Sequence, residues 1–412
     1  MKKKWLALIV VAAMLLGTMG TGFAATAAIE SSDAAAEYQI IVINDRSLIA
    51  VSDIISLGYD VVQNGKFIDI KDSTTNFLFE LGSRVVGVNE IEVKIDAAPI
   101  KNGNESYIPM AFFFEVLNYE VSWNQTLGKI EIEKRADTLY PVKIESFGFV
   151  YDCAKPAKTI SSTAPSVTEL LFSIGAGERI QTRSSYCDYP AQASQIPAAG
   201  SLYDPSIEVI VAAAPEVLIA QTHFKPEVLV QLTKAGIDVV AVESPSTIDG
   251  MVALVKQLGV ITGNEAEARA LATSMEQRVQ RTRNLVKNVQ RPNVYYVVGT
   301  GQWGEYTATS DTFINDVMQT AGLNNVAANA TGWKYSLEKL VEQDPESILG
   351  GAYNLDTMRT SENYAILTAV QNNQLFDIDE NVYSRPALRI IDVGIPELLK
   401  LFHPDLDRSL IE

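Results

Sequence analysis

The arrangement of apolar and polar residues divides the 412-residue chain into two regions with different periodicities. Between positions 38 and 134 apolar residues occur in short runs, and residues 129–133 (KIEIE) alternate strictly, as a half-buried strand does. From Lys158 onward, short apolar runs alternate with longer helical patterns. The first region therefore predicts a β-rich module, and the second predicts parallel βαβ units with both sheet faces covered.

The first region contains an internal repeat. The segment LGYDV at 57–61 recurs as LNYEV at 117–121, and each copy follows a helix-like segment and precedes a turn and a strand. We infer two copies of one helix-plus-hairpin unit. The region resembles the domain named after the N-terminal segment of copper amine oxidases. Because residues 38–134 contain no histidine or cysteine, the resemblance implies a structural or docking module without copper or oxidase activity.

The second region predicts two α/β lobes joined by one long helix, preceded by a linker at 135–146. The N-lobe covers about 147–246, the bridging helices about 247–290, and the C-lobe about 291–412. The helix at 264–290 would be about 40 Å long at ~1.5 Å per residue, enough to reach from one lobe to the other. The predicted fold class is thus α/β, with two doubly wound lobes and an N-terminal α+β duplicated module.

The first residues have the pattern of a secretory signal peptide. A basic start (Lys2 to Lys4) precedes an apolar run at 5–16 and an A-x-A site at 25–27. The apolar run is shorter than the ~20 residues of a membrane span, so a retained anchor is disfavoured. No cysteine follows that could carry a lipid. We expect residues 1–27 to be removed and the mature protein to reside in the periplasm or cell envelope without a lipid anchor.

Composition narrows the function classes further. Fifty Asp and Glu against 33 Lys and Arg give a formal net charge of −17, which disfavours nucleic-acid binding. Two histidines and two cysteines cannot form a cage of several His or Cys ligands for zinc, and no catalytic motif is legible. We therefore expect no enzyme and no resident cofactor. Cys153 and Cys187 could form a disulfide in an exported chain, or remain separate thiols.

Motifs in the second region resemble one family of transport proteins. They include APSVTE at 164–169, SYCDYP at 185–190 and PSIE at 205–208, followed in the C-lobe by AGLNN at 321–325, SLE at 336–338 and DPE at 344–346. This pattern is similar to the helical-backbone substrate-binding proteins of ABC importers for cobalamin, ferric siderophores and haem. The resemblance implies a rigid two-lobed protein that holds its ligand in the interlobe cleft and delivers it to a membrane permease.

Ligand-binding groups are expected on loops beyond the carboxyl ends of the strands, where doubly wound folds bind ligands. Aromatic rings on these loops would stack on a flat ligand, and a few polar groups would orient it. The candidates are Tyr186, Asp188, Tyr203, Gln221 and Phe224 from the N-lobe, and Trp303, Trp333, Tyr383 and Arg385 from the C-lobe.

The resemblance also implies one permease-docking glutamate on each lobe. Glu208 in PSIE and Glu338 in YSLE match these positions. A carboxylate can form a directional, charge-assisted pair with an arginine of the permease. The alternative is a solvated glutamate that stabilises the dipole of its own helix.

The ligand class stays open at the level of sequence. An aromatic, weakly charged cleft favours a corrinoid, whereas a ferric siderophore is commonly anionic and would need converging Arg and Lys side chains. Haem remains an alternative because Tyr186, Tyr203 or His223 could ligate its iron. A function of another class is a cell-envelope adhesion or scaffold protein, in which residues 38–134 bind a cell-wall component. Both activities could also occur in one chain.

Overall fold

A computed structural model describes residues 7–11, 23–31, 34–124, 129–146, 149–221, 225–301 and 304–409. Phe224, Trp303 and His223 lie outside these residues, as do positions 1–6 and 12–22 of the expected signal peptide. Within the described ranges, no helix has both the length and the apolar character needed to cross a bilayer.

The N-terminal module is built from antiparallel sheets and two short helices. Strand β1 (Ala7–Val11) and the start of β2 (Phe23–Ser31) lie within the expected signal peptide. The elements that follow are β3 (Ala34–Ile43), β4 (Arg46–Ala50), α1 (Val51–Ser56), β5 (Asp60–Asn64), β6 (Phe67–Lys71), β7 (Asn76–Glu80), β8 (Val85–Val88), β9 (Ile91–Lys94), β10 (Ile100–Asn102), β11 (Glu105–Pro109), α2 (Met110–Val116), β12 (Tyr119–Asn124) and β13 (Lys129–Lys134). The strand orders are β5-β6-β7-β8-β9, β10-β11-β4-β3-β2 and β1-β13-β12. Alternation in β7 buries Phe77 and Phe79 and exposes Leu78.

The two copies of the predicted repeat have the same local structure. Gly58 and Asn118 follow α1 and α2 with positive φ angles of 93° and 68°, the left-handed conformation that commonly ends a helix. Tyr59 and Tyr119, the next residue in each copy, share a side-chain hydrogen bond. The two units therefore meet at equivalent positions, and burial there raises the pKa of both tyrosines.

The N-lobe begins with a hairpin and continues as a parallel sheet. Its elements are β14 (Val142–Ser146), β15 (Phe149–Cys153), β16 (Ile160–Ser162), α3 (Pro165–Ser173), β17 (Ile180–Arg183), α4 (Ile207–Ala213), β18 (Val217–Gln221), α5 (Pro226–Lys234) and β19 (Asp238–Val242). The sheet order is β17-β16-β18-β19, and all its pairings are parallel. The predicted linker at 135–146 is in part a regular element, because β14 pairs with β15.

Two consecutive helices, α6 (Ile248–Thr262) and α7 (Glu265–Leu285), lead from the N-lobe to the C-lobe. Thr247 caps α6 by accepting a hydrogen bond from the Gly250 amide at 3.0 Å. The long helix α7 ends five residues before the predicted position 290. It is followed directly by residues assigned to turns, and β20 begins at Asn293.

The C-lobe has a central parallel sheet with an antiparallel edge. Its elements are β20 (Asn293–Gly299), β21 (Glu305–Thr307), α8 (Phe313–Thr320), β22 (Asn324–Asn325), β23 (Lys334–Tyr335), α9 (Leu337–Gln343), β24 (Ser347–Gly350), α10 (Ala352–Thr360), α11 (Thr368–Gln371), β25 (Leu375–Asp377), α12 (Glu380–Tyr383) and α13 (Ile395–Phe402). A π-helical turn (Ile390–Gly394) precedes α13. Strands β22, β24 and β25 run parallel to β20, and β21 and β23 add antiparallel pairs.

A buried carboxyl group in the C-lobe makes stability depend on pH. Glu305 is 5% exposed, accepts a hydrogen bond from the Tyr364 hydroxyl at 2.8 Å, and has no cationic partner among the described residues. Burial raises the pKa of Glu305. A raised folded-state pKa means that this group contributes stability at low pH, which is lost as pH rises through that pKa.

We therefore expect Glu305→Gln to stabilise the protein increasingly as the pH rises, because the amide avoids ionisation in the core. The difference in melting temperature should be small near about pH 4 and positive near about pH 8. Glu362→Gln, at an exposed position of the same lobe, is the control. A pH-independent difference for Glu305→Gln would contradict this interpretation.

Candidate functional site

A cavity of about 350 Å³ lies between the two lobes at the carboxyl ends of the N-lobe strands. The loop after β16, the end of β18 and the residue Ser244 after β19 form one wall, and the segment around α12 forms the other. The cavity is lined by Thr163, Ala164, Pro165, Ser166, Tyr186, Leu202, Tyr203, Gln221, Ser244, Asn381, Ser384, Arg385 and Pro386. Four of the predicted ligand residues, Tyr186, Tyr203, Gln221 and Arg385, are thus brought together.

Two aromatic rings are accessible at this cavity. Tyr186 and Tyr203 are 51% and 52% exposed, although each comes from a different loop of the N-lobe. Half-exposed rings beside a cavity present apolar faces on which a flat ligand can stack. The arrangement therefore suits a flat ligand.

Gln221 provides a polar group at the end of β18. Its Oε1 accepts a hydrogen bond from the Ser166 hydroxyl at 3.2 Å, while its buried Nε2 has no partner among the described residues. An unsatisfied buried donor costs free energy unless a ligand or water accepts its hydrogen bond. Gln221 can thus donate to a carbonyl or amide oxygen of a ligand.

Asp188 and Arg385 form an ion pair across the cleft. The Arg385 guanidinium bonds to the Asp188 carboxylate from the opposite lobe, and its Nη2 also donates to Asn381 Oδ1 at 2.7 Å. The hydrogen bond from Arg385 lowers the pKa of Asp188. The predicted anionic and cationic ligand groups therefore neutralise one another in this structure.

A second, more buried ion pair joins the lobes four residues further along the chain. Arg389 Nε donates to Glu169 Oε2 at 2.9 Å, and the Arg389 backbone amide donates to Glu169 Oε1 at 3.3 Å. Tyr189 covers the guanidinium, with its ring centroid 4.2 Å away. Burial raises the pKa of Glu169, and the charge of Arg389 opposes that rise. The sequence analysis missed this pair, although Glu169 is a lone charge within the apolar helix α3.

Tyr383 is a wrong prediction as a ligand-contacting residue. It is 0% exposed, and its single hydroxyl proton lies between two acceptors, Glu397 Oε2 at 2.8 Å and the Gly394 carbonyl at 3.0 Å. Burial beside Glu397 raises the pKa of this tyrosine. The helical phase of α12 directs the ring into the C-lobe core, whereas Asn381 and Ser384 on the same segment line the cavity.

The remaining aromatic candidates do not line this cavity within the described residues. Trp333 is 41% exposed and precedes β23, where its backbone bonds to Thr307 and Thr309. Phe224 and Trp303 lie outside the described residues. Tyr353, which is 84% exposed and follows the carboxyl end of β24, was missed even though it satisfies the strand-end rule used for the other candidates.

The suggested disulfide is not formed. Cys153 and Cys187 are separate, buried thiols. Cys153 donates to the Lys155 carbonyl at 3.4 Å, and Cys187 lies near the hydroxyls of Thr168 and Ser184. Burial raises the pKa of the Cys153 thiol. The two residues therefore fill separate positions beneath the N-lobe surface.

Glu208 and Glu338 occupy equivalent positions in the two lobes. Both are exposed, and both lie in the first turn of a seven-residue helix, α4 or α9. Ser206 and Ser336 cap these helices, and a left-handed residue ends each one before a Pro-Glu pair and a strand. The same local unit thus presents one exposed carboxylate on each lobe.

Two α/β lobes with a ligand-sized interlobe cavity define a bilobed binding protein. In the described ranges, no group of three or more His, Cys, Asp or Glu side chains could hold a metal ion. A family model described as "Periplasmic binding protein" matches residues 160–382, more than half of the chain. The chain belongs to this family. A second model, described as "Copper amine oxidase N-terminal domain", matches residues 28–132 and confirms the resemblance of the module.

Relatives place the bilobed part among substrate-binding proteins of ABC importers. A cobalamin-binding protein of Halobacterium salinarum is 29% identical over 254 residues, which cover 58% of this chain and 68% of that protein. An uncharacterised ABC transporter substrate-binding lipoprotein of Bacillus subtilis is 24% identical over 61% of this chain and 82% of its own length. These relatives are described as binding proteins, in agreement with the expected absence of enzyme activity.

Solved structures share the fold. The periplasmic vitamin B12-binding protein of Vibrio cholerae has a TM-score of 0.52 and 24% identity, covering 60% of this chain and 96% of its own. A periplasmic haem-binding protein of Pseudomonas aeruginosa has a TM-score of 0.56 and 23% identity, covering 61% and 94%. Since about three fifths of this chain matches nearly all of each structure, the N-terminal module is additional to the fold that they share.

Proposed function

We propose that this protein is the extracytoplasmic receptor of an ABC importer and captures a corrinoid in the interlobe cavity. The observation that carries the proposal is the charge of the cavity: its lining cation among the described residues, Arg385, is already paired with Asp188. The cobalamin-binding relative of Halobacterium salinarum supports the same ligand class.

The neutral lining of the cavity suits the periphery of a corrinoid. Corrinoids carry amide side chains, which exchange hydrogen bonds with hydroxyl and amide groups rather than with unpaired charges. Tyr186 and Tyr203 add apolar ring faces. The neutral polar side chains that line the cavity are Thr163, Ser166, Gln221, Ser244, Asn381 and Ser384.

An anionic ferric siderophore is a poorer match. Its charge would require converging cations, but Lys225 is paired with Asp204 at 3.0 Å and Arg389 with Glu169 at 2.9 Å. Arg183 donates to two backbone carbonyls. Binding such a ligand would first require at least one of these ion pairs to break.

Haem is the second candidate, and a specific observation favours it. Tyr186 and Tyr203 present half-exposed phenol groups at the cavity, and tyrosinate is a known axial ligand of haem iron. The phenol oxygen of these tyrosines distinguishes the two candidate ligands. A corrinoid would use the ring, whereas haem would use the phenol oxygen.

Titration of the purified chain tests the assignment. We expect cyanocobalamin to bind at micromolar concentration or below, as measured by isothermal titration calorimetry. Haemin and ferric catecholate and hydroxamate siderophores should bind much more weakly. No heat with cyanocobalamin, together with saturable binding of haemin or a siderophore, would overturn the corrinoid assignment.

Substitution of Tyr203 provides a sharper prediction. Tyr203→Ala should weaken cyanocobalamin binding by about 1–2 kcal/mol through the loss of ring stacking. Tyr203→Phe is the matched control and should bind cyanocobalamin nearly as well as the unmodified chain. If Tyr203→Phe instead removes haemin binding and its absorbance shift, the phenol oxygen is an iron ligand and haem becomes the better assignment.

A further inference from the structure

The N-terminal module packs directly on the bridging helix α7. Asn89 Nδ2 donates to Glu267 at 2.8 Å, the Ser274 hydroxyl donates to the Lys94 carbonyl, and Arg281 Nε donates to Asp96 at 2.8 Å. Glu267, Ser274 and Arg281 are spaced seven residues apart, which places them on one face of the helix. They cover about 21 Å of its axis at ~1.5 Å per residue. The contact therefore extends along most of α7.

The shape of α7 permits this close contact. Ala266, Ala270 and Ser274 follow one another at four-residue intervals and are buried, so small side chains form a row on the helix. Arg269 at the same end donates to the Val116 carbonyl at the C-terminus of α2. The helix also covers the edge strand β9, whose Lys94 carbonyl it satisfies.

The centre of the contact is a buried charge network. Asp96 is 2% exposed and is paired with Arg46 of its own module and with Arg281 of α7. Arg281 is 10% exposed and also donates to the Asn44 carbonyl at 3.0 Å. Removing Asp96 from this network leaves both guanidinium groups without their shared partner, which is strongly destabilising.

The apolar core is also continuous across the contact. One cluster of buried residues contains Ile40 and Phe113 of the module, Leu271 and Met275 of α7, and the N-lobe helix α3. On the N-lobe side, a Cβ at Gly175 would lie 3.2 Å from Ile91 of β9, so the hairpin tip approaches this backbone closely. A tethered domain would instead have its own closed core and a polar boundary.

From these observations we propose that the module braces the bridging helix, and that module and helix fold as one unit. About three fifths of this chain matches nearly all of each related structure, so the module is additional to the fold that they share. The module thus has a conformational function in this protein, distinct from attachment to the envelope. Asp96 connects the module to α7 through its ion pairs with Arg46 and Arg281.

Native-state hydrogen exchange on the full chain tests the proposal. Backbone amides of β6 to β9 and of α7 should open with the same free energy and the same denaturant dependence. Asp96→Asn should raise the opening constant of both segments together, by about 100-fold. Arg281→Ala leaves Asp96 paired with Arg46 and should raise both by about tenfold.

Arg283→Ala is the matched control, because this arginine lies on the same helix in an exposed pair with Asp249 at 3.4 Å. It should change the opening constants by less than about threefold. If Asp96→Asn does not fold, Arg281→Ala decides the question. A module that opens before α7 in the unmodified chain, or an Arg281→Ala effect confined to the module, would overturn the proposal.

Discussion

Arg389→Ala is expected to lower the free energy of unfolding by about 3–5 kcal/mol, because it leaves Glu169 buried without a compensating charge. Glu169 is 2% exposed at its side chain and receives two hydrogen bonds from Arg389. One of these bonds comes from the backbone amide and would remain. The loss should grow as pH rises and the carboxyl ionises. Denaturant unfolding at about pH 5 and about pH 8 measures it.

Two further variants isolate the ion pair from general packing. Adding Glu169→Gln to Arg389→Ala should recover part of the lost stability, because the buried charge is then absent. Arg385→Ala removes the neighbouring interlobe pair, whose Asp188 side chain is 58% exposed, and should cost about 1 kcal/mol or less. Equal losses for Arg389→Ala and Arg385→Ala would contradict the assigned difference in burial.

We propose that Glu208 and Glu338 dock to the permease, so replacement of both is expected to abolish uptake while ligand binding stays intact. Glu208 and Glu338 are exposed on helices α4 and α9, outside the set of residues that line the cavity. The loss of a desolvated charge pair at an interface costs about 2–5 kcal/mol, so two losses reduce docking by more than about 1,000-fold. Uptake of labelled cyanocobalamin by cells with the cognate importer measures the effect, and calorimetry measures the binding.

The control pair is Glu227→Ala with Glu342→Ala. These glutamates are also exposed on helices of the two lobes, so the control makes the same change in net charge. It should leave both uptake and binding unchanged. Normal uptake by the Glu208→Ala, Glu338→Ala variant would contradict the docking assignment. An equal loss of uptake in the control variant would also contradict it, because the loss would then be an effect of net charge.

The limits of two helices in the bilobed part follow from local sequence patterns. Helix α4 is capped by Ser206 and ends just before Pro215. Helix α9 is capped by Ser336 and ends just before Pro345, so nearby residues set the limits of both helices. The end of α7 was less well predicted, because residues 286–290 continue a polar helical composition but lie in turns.

Strand ends predicted part of the site. Gln221 and Tyr186 follow strands, and the topology alone carries them to the cavity. The prediction for Tyr383 was wrong because this residue lies on the short helix α12 and not on a loop. The direction of its side chain depends on its position around the helix axis, which a predicted loop does not specify. The pair between Glu169 and Arg389 joins residues 220 positions apart, and no local pattern encodes such a contact.

The burial of α7 also could not be predicted fully from the sequence. Leu271, Met275 and Val279 form an apolar stripe that sequence periodicity reveals, and all three are buried. The second face, with Ala270 and Ser274, is buried as well, but small and polar residues give no hydrophobic signal. The sequence alone therefore did not predict the contact between α7 and the module.

That second face has an evolutionary consequence. A bilobed ancestor without the module would have exposed this side of the helix to water, where bulky polar side chains are tolerated and a row of small ones has no advantage. Small residues at the positions of Ala266, Ala270 and Ser274, with an arginine at 281, should therefore co-occur with the fused module across the family, and bulkier residues should mark its absence.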